Sequence, residues 1–136
     1  LLYEGLWDVL GRHGDCYFQV FTNGTLLTDD TARRMRALGN VTPLVSIEGL
    51  ARTSDERRGG TNVYARALEA LARCRENRLL TGVATSICRS NIDELVTRRF
   101  VEGLIDRGVH YLWYYVYRPV GPDPTPTLAL SREQLV

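Results

Sequence analysis

Four short apolar segments, rich in β-branched and aromatic residues, recur along this chain of 136 residues, and a helical pattern separates each from the next. They lie near residues 16–21, 41–47, 80–87 and 110–117. Strands that alternate with helices are typical of βα units with a parallel sheet. Nearly continuous apolar strands are typical of a sheet covered on both faces. The sequence therefore predicts an α/β fold, as part of either a barrel or an open doubly wound sheet.

The helical patterns between these strands carry recognisable ends. Thr28 is a predicted N-cap, and Gly14 and Gly39 are predicted C-terminal stops. The charged stretch "SDERRGG", residues 54–60, is predicted to be a loop. The predicted helices run over residues 3–14, 28–39, 61–77 and 92–108.

Charge and composition exclude several classes of partner and chemistry. The net charge is +1 and the pI is near 7.9, so we expect no nucleic-acid partner and no membrane partner. All 17 basic residues are arginine, which excludes Schiff-base and phosphate-loop chemistry that needs lysine. Cys16, Cys74 and Cys88 are scattered, and we expect reduced, buried thiols in a cytoplasmic protein.

The chain starts inside a helical pattern that is expected to lack its first turn, and it ends where a further helix is expected to start. The sequence begins "LLYEGL" without an initiator methionine and ends "LSREQLV" where a new helix should start. We therefore expect residues 1–136 to be a single domain of a protein that is longer at both ends.

Polar residues follow each of the four predicted strands. Ligands of parallel α/β folds gather at the carboxyl ends of the strands, so these residues should converge on one rim. Ser46 and Glu48 alternate on one side of a strand and suit the hydroxyl groups of a ribose. The residues expected at the rim are Asn23, Ser46, Glu48, Ser86, Asn91 and Arg118.

Each of these features also has a purely structural interpretation. "TNG" is a common turn, "SIEG" can be a strand end with a solvated glutamate, and the charges of "SDERRGG" can pair among themselves. Cys88 is either a low-pKa thiolate beside Arg89 or a plain buried cysteine. The aromatic stretch 111–117 can stack on single-stranded bases, but we favour core packing with one or two rings left to line a pocket. His13 and His110 are expected to be structural or solvated.

Four motifs in order carry a family resemblance. "FTNGTLL", "VSIEG", "SDERRGG" and "NVYARALEALARCREN" resemble the third and fourth strands, and the segments after them, of the radical S-adenosylmethionine superfamily, in the branch of peptide- and sulfatase-modifying enzymes. "WYYVYRPVG" and "PTLALSREQ" look like a sixth strand and the start of the next helix. The resemblance implies a partial TIM-like (βα)6 barrel, of which this chain is the middle and later part.

The resemblance also implies a chemistry. Members bind a [4Fe-4S] cluster through "CxxxCxxC", hold S-adenosylmethionine partly through "GGEP", and cleave its sulfonium reductively to a 5′-deoxyadenosyl radical. The implied partners are an electron donor such as ferredoxin or flavodoxin and a peptide or protein substrate. Carried onto this chain, Ser46 and Glu48 match the ribose contacts, and Arg58 or its neighbour Arg57 matches the arginine near the cofactor carboxylate.

Two further positions match the family's cofactor site. Asn23 corresponds to the edge of the third strand, and the region of Tyr117 corresponds to the surface of the sixth strand near adenine. The sequence contains neither "CxxxCxxC" nor "GGEP", so we expect no cluster to assemble on this chain alone and no activity from it. A non-catalytic binding domain on a degenerate half-barrel stays open as an alternative. An ordinary nucleotide-binding open sheet lacks support because no "GxGxxG" is present.

Overall fold

The computed structural model describes residues 1 and 3–135, and within them four parallel strands form one sheet in the order β1-β2-β3-β4. The strands are β1 Phe18–Thr22, β2 Val41–Ser46, β3 Gly82–Ile87 and β4 Tyr111–Val116. The helices are α1 Leu6–Arg12, α2 Asp29–Leu38, α3 Ala51–Arg58, α4 Val63–Glu76, α5 Ile92–Leu95 and α6 Arg98–Ile105, followed by short 3₁₀ turns at Pro126–Leu128 and Glu133–Leu135. The predicted parallel βα architecture is confirmed.

The sheet curls as a barrel wall does. Phe21 lies on one edge strand and Trp113 on the other, yet their ring centroids are only 6.3 Å apart. In a flat sheet the two edge strands would be separated by about 14 Å. Neighbouring strands also follow each other in chain order, without the switch point of an open doubly wound sheet. Curvature and order together favour the barrel over the open sheet.

One face of this sheet makes the hydrophobic core with the helices. Val45 and Ile47 of the second βα unit and Val83 of the third are fully buried there against α2, α4 and α5. Because side chains alternate along a strand, Ser46 and Ala84 lie on the opposite, concave face. The helix residues of the core include Met35, Ala67, Ala70, Leu71, Cys74 and Leu95.

The predicted ends of α2 are confirmed. The Thr28 hydroxyl accepts a hydrogen bond from the Thr31 amide at 3.2 Å, and Gly39 ends the helix in the left-handed region at φ 74°. The predicted stop of α1 at Gly14 lies one residue past the observed C-cap, because the helix ends at Arg12 and His13 is the C-cap.

The largest difference from the sequence prediction is the stretch predicted to be a charged loop. Residues 51–58 form helix α3, which ends at Gly59 in the left-handed region at φ 63°. Arginine and glutamate are good helix formers, and Arg52 and Glu56 form an i,i+4 pair at 3.4 Å. The prediction failed because α3 has no apolar periodicity from which a helix can be recognised.

The last predicted helix is two helices. Thr97 separates α5 from α6: its hydroxyl accepts from the Phe100 amide at 3.2 Å and donates to the Glu94 carbonyl at 2.7 Å. A threonine N-cap inside an amphipathic run therefore ends one helix and starts another.

The cysteines are free but not all buried. Cys74 and Cys88 are buried as predicted, whereas Cys16 is exposed, so that part of the prediction is wrong. Burial raises the pKa of Cys74 to about 11, which keeps this thiol protonated at neutral pH. Within the described residues, no helix has both the length and the apolar character needed to cross a bilayer.

The turn after β1 approaches α4 so closely that only glycine fits there. Gly24 has φ +84°, and a Cβ atom on it would lie 2.8 Å from the Ala70 Cβ. Gly39 has a similar φ of +74°, but a Cβ there would meet open space.

Gly39→Ala should lower the free energy of unfolding by about 1–2 kcal/mol through backbone strain alone. Gly24→Ala should cost at least about 1 kcal/mol more because it also overpacks the core.

Urea denaturation of the two variants measures this difference directly. Equal free energies of unfolding for Gly24→Ala and Gly39→Ala would show that the contact between the turn and α4 does not constrain the fold.

Candidate functional site

The carboxylate of Glu48 is the centre of a polar network where β2 and β3 end. Its side chain is only 9% exposed. Oε1 accepts a hydrogen bond from Arg58 Nη2 at 2.7 Å, and Oε2 accepts from the Ser86 amide at 3.0 Å. Arg57 Nε lies 3.8 Å from Oε2. A buried carboxylate is stable only with such partners, so Glu48 ties α3 to the end of β3.

The Asn91 side chain also links the ends of β2 and β3 by hydrogen bonds. It is 2% exposed, and its Nδ2 donates to the carbonyls of Glu48 at 2.9 Å and Ser86 at 3.0 Å. Its Oδ1 accepts from the Cys88 amide at 2.8 Å. One amide side chain therefore satisfies three backbone groups that the end of the sheet ladder leaves unpaired.

The two arginines at the end of α3 have different surroundings. Arg57 Nη1 donates to Cys88 Sγ at 2.9 Å and to Ser90 Oγ at 3.3 Å, and its side chain is 19% exposed. Its Nε is buried without a hydrogen-bond partner among the described residues. Arg58 is 32% exposed and bonds Glu48 through Nη2. The arginine that contacts Cys88 is thus Arg57, and the predicted neighbour Arg89 is exposed.

The concave face beside Ser46 is open and aromatic. Ser46 is half-buried and pairs in register with Ala84, which pairs with Trp113. The Trp113 and Tyr115 rings stack at 5.4 Å, and Phe21 packs on Tyr115 at 6.0 Å. These three rings are 40–50% exposed, whereas Leu112 and Tyr114 pack against the core, so core packing accounts for only part of this strand.

The other predicted rim residues lie at the same edge but outside the Glu48 network. Asn23 is exposed, and its Oδ1 accepts from the Thr25 amide at 3.1 Å and the Thr25 hydroxyl at 2.7 Å. It directly follows Thr22, which pairs with Val45, so it lies level with Ser46. Tyr117 accepts from the Thr125 amide at 3.3 Å, and Arg118 is exposed. The structure therefore joins Glu48, Ser86 and Asn91 by hydrogen bonds, with Ser46 beside them.

The two histidines lie away from this network. His13 is exposed at the end of α1, and His110 Nδ1 accepts from the Thr81 amide at 3.2 Å at the opposite end of the sheet. Among the described residues, no three His, Cys, Asp or Glu side chains are grouped so that they could hold a metal ion.

The sequence analysis missed Glu94. Its Oε2 accepts from the Leu50 amide at 2.8 Å, at the start of α3 and across 44 positions of sequence. In the sequence Glu94 looks like an ordinary first-turn acid of a helix, so no local signal distinguishes it.

A curved parallel sheet with helices on its outer face and polar groups at its carboxyl edge defines a partial βα barrel. The family model of the Radical SAM superfamily matches residues 3–101. The chain belongs to the radical SAM superfamily, as the four motifs predicted.

Two curated relatives match over 76 residues, which is 56% of this chain. The Fe-coproporphyrin III synthase of Methanosarcina barkeri (strain Fusaro / DSM 804) is 29% identical. The sporulation killing factor maturation protein SkfB of Bacillus subtilis (strain 168) is 32% identical. The matches cover only 19% and 18% of these relatives.

Solved structures show the same fold. Streptococcus suis SuiB superposes with a TM-score of 0.76 at 14% identity, over 91% of this chain and 29% of SuiB. The complex of anSMEcpe with AdoMet and the Kp18Cys peptide gives 0.69 at 11% identity, over 87% of this chain and 33% of that protein. The predicted partial TIM-like barrel is thereby confirmed.

Alanine variants of Asn91 and Asn23 test how much each asparagine at a strand end contributes to the free energy of unfolding. Asn91→Ala removes three hydrogen bonds from buried backbone groups and should lower the free energy of unfolding by about 2–4 kcal/mol. Asn23→Ala removes contacts of an exposed turn and should cost less than about 1 kcal/mol. Thermal or urea unfolding compares them, and similar costs for both variants would contradict the assignment of Asn91 as the fastening between β2 and β3.

Proposed function

We propose that this chain forms part of the S-adenosylmethionine site of a radical SAM enzyme. The observation that carries this proposal is the Arg58 guanidinium, which is hydrogen-bonded to Glu48 at the carboxyl edge of the sheet, where Ser46 ends β2. The superfamily membership of the chain supports an enzymatic parent. Solved structures of the same fold carry the cofactor, namely SuiB bound to S-adenosylmethionine and anSMEcpe with bound AdoMet.

The charges of the network fit an anionic group of the cofactor. Arg57 and Arg58 face the single carboxylate of Glu48, so this cluster has an excess of one positive charge. A guanidinium carries five N–H donors, and the bond to Glu48 occupies only part of this capacity. Arg58 is also the more exposed of the two arginines. We therefore assign the α-carboxylate of S-adenosylmethionine to Arg58, with Arg57 as the arginine that supports it.

The remaining cofactor contacts follow from the strand ends. We assign a ribose hydroxyl to Ser46, whose side chain lies on the concave face. Glu48 can accept from a second hydroxyl while it stays paired, because a carboxylate has about four lone-pair positions. Asn23, level with Ser46, and Tyr117, at the end of β4, complete the proposed cofactor surface on the ribose and adenine sides.

The reaction needs groups that this chain does not contain. A [4Fe-4S] cluster, held by the cysteines of a "CxxxCxxC" segment absent from this sequence and reduced by ferredoxin or flavodoxin, would supply the electron for reductive cleavage of S-adenosylmethionine. The residues of this chain hold and orient the cofactor. This division of tasks means that the chain alone should be inactive.

We further propose a peptide or protein substrate. Similar proteins include the sporulation killing factor maturation protein SkfB, and a solved structure contains SuiB bound to the precursor peptide SuiA. We assign the apolar contacts of such a substrate to the exposed rings of Phe21, Trp113 and Tyr115 on the concave face. The alternative is a non-catalytic domain that binds ligands on the same half-barrel.

Anaerobic reconstitution of the full-length protein with iron and sulfide tests the proposal. With S-adenosylmethionine and dithionite, the wild-type protein should release 5′-deoxyadenosine. Arg58→Ala should raise the Kd for S-adenosylmethionine about tenfold or more, since a charge-assisted bidentate partner is lost. Arg58→Lys should restore the affinity only partly, because lysine lacks the planar fork.

Arg52→Ala is the matched control, because Arg52 lies on the same helix but is exposed and pairs with Glu56, away from Glu48. Its Kd should equal that of the wild type. A wild-type protein without cluster absorption and without 5′-deoxyadenosine would favour the non-catalytic alternative, whereas an unchanged Kd in Arg58→Ala would remove the carboxylate assignment.

A further inference from the structure

Helix α3 carries both arginines of the proposed cofactor site but has almost no hydrophobic anchor. Of its eight residues, Ser54 is buried, and this residue is polar. Isolated helices of this length are unstable in water, and most helices in proteins are held by an apolar face. The N-cap residue Leu50 packs against the core. Beyond that contact, the position of α3, and with it the position of its two arginines, depends on polar contacts with neighbouring elements, among them the bonds that Asp55 accepts from the Asn62 and Tyr64 amides.

The first turn of α3 receives such a contact from another helix. The N-cap residue Leu50 has no side chain that can cap, but its backbone amide donates to Glu94 Oε2 of α5 at 2.8 Å. A carboxylate at this end also interacts favourably with the positive end of the helix dipole. Glu94 thus does from a distant part of the sequence what the N3 acid of a capping box does locally: it accepts from the backbone amide of the N-cap residue.

Gly49 provides an independent sign that Glu94 approaches this turn closely. Its φ is +149°, and an added Cβ would overlap the Glu94 carboxylate and lie 2.8 Å from the Thr53 Cβ. A side chain at Gly49 would therefore displace the Glu94 carboxylate from the Leu50 amide, and the positive φ by itself favours glycine at this position.

The segment that carries Glu94 bonds to both ends of the turn formed by residues 48–50. Asn91, directly before α5, donates to the Glu48 carbonyl, and Glu94 accepts from the Leu50 amide. Gly49 lies between these two attachments. The short segment 91–94 thereby fixes the connection from β2 to α3 at both ends, while Arg58 returns to the Glu48 side chain.

We propose that Glu94 is a positioning residue for S-adenosylmethionine binding: its carboxylate fixes the first turn of α3 so that Arg57 and Arg58 reach Glu48 in the geometry that receives the cofactor carboxylate. The inference rests on the proposed function for its last step. Its first step, the attachment of α3 by Glu94, concerns the protein without any ligand.

Two measurements on the full-length protein separate these steps. In Glu94→Ala, hydrogen exchange of the amides in 50–58 should become about tenfold faster, while α2 and α4 keep their protection, because a charge-assisted cap is lost. The Kd for S-adenosylmethionine should rise about three- to tenfold, and the kcat for 5′-deoxyadenosine formation at saturating cofactor should stay within about twofold.

Two variants serve as comparisons. Glu94→Gln keeps an oxygen that accepts from the Leu50 amide, so it should restore most of the protection and affinity. Asp93→Asn removes an acid from the same turn of α5 at an exposed position and should match the wild type in both measurements. Failure of Glu94→Gln to improve on Glu94→Ala would contradict the proposed hydrogen bond.

The outcomes distinguish this inference from the proposed function. Unchanged exchange in 50–58 of Glu94→Ala would overturn the attachment, whatever the protein binds. Faster exchange with an unchanged Kd would overturn the link to the cofactor. A wild-type protein that does not bind S-adenosylmethionine would defeat the proposed function, and the exchange data would then still decide whether Glu94 fixes α3.

Discussion

A buried carboxylate needs partners, and this requirement organises the carboxyl edge of the sheet. Burying an unpaired charge costs several kcal/mol, so Glu48 can occupy its place only if donors surround it. These partners come from separate elements: Arg58 of α3 and the Ser86 amide of β3 donate hydrogen bonds, and Arg57 of α3 contributes a positive charge 3.8 Å away. The ion pair therefore specifies how the helix after β2 lies against the neighbouring strand, and the cofactor site that we propose is built on this arrangement.

The curvature of the sheet separates structural residues from residues that can meet a ligand. On the outer face, Val45, Ile47 and Val83 bury their side chains against the helices. On the concave face, the small Ala84 lies between Ser46 and Trp113, and the aromatic rings of the two edge strands meet above it. The same alternation along each strand thus produces a closed core on one side and an open, aromatic surface next to the polar edge on the other.

Local signals in the sequence predicted most of the fold. Apolar periodicity gave the strands and α4, and Thr28 and Gly39 marked the ends of α2. The motifs placed Ser46, Glu48 and Asn91 at one edge, because parallel strands end together. The sequence did not predict α3, whose stability depends on polar contacts rather than on an apolar face, nor the restart of the helix at Thr97.

Contacts between distant residues were also beyond sequence reasoning. The bond from Arg57 to Cys88 joins residues 31 positions apart, and the bond from Leu50 to Glu94 joins residues 44 apart. The approach of Phe21 to Trp113 depends on the curvature of the whole sheet. Such contacts decide which of several polar residues at a strand end form the site, and they become visible only in three dimensions.

A crystal structure of the full-length protein with bound S-adenosylmethionine tests the central claim most directly. The account predicts that the Arg58 guanidinium contacts the methionine carboxylate while still paired with Glu48, and that the Ser46 hydroxyl bonds the ribose. A cofactor whose carboxylate contacts neither Arg58 nor Arg57, or an Arg58 separated from Glu48 in the complex, would contradict it.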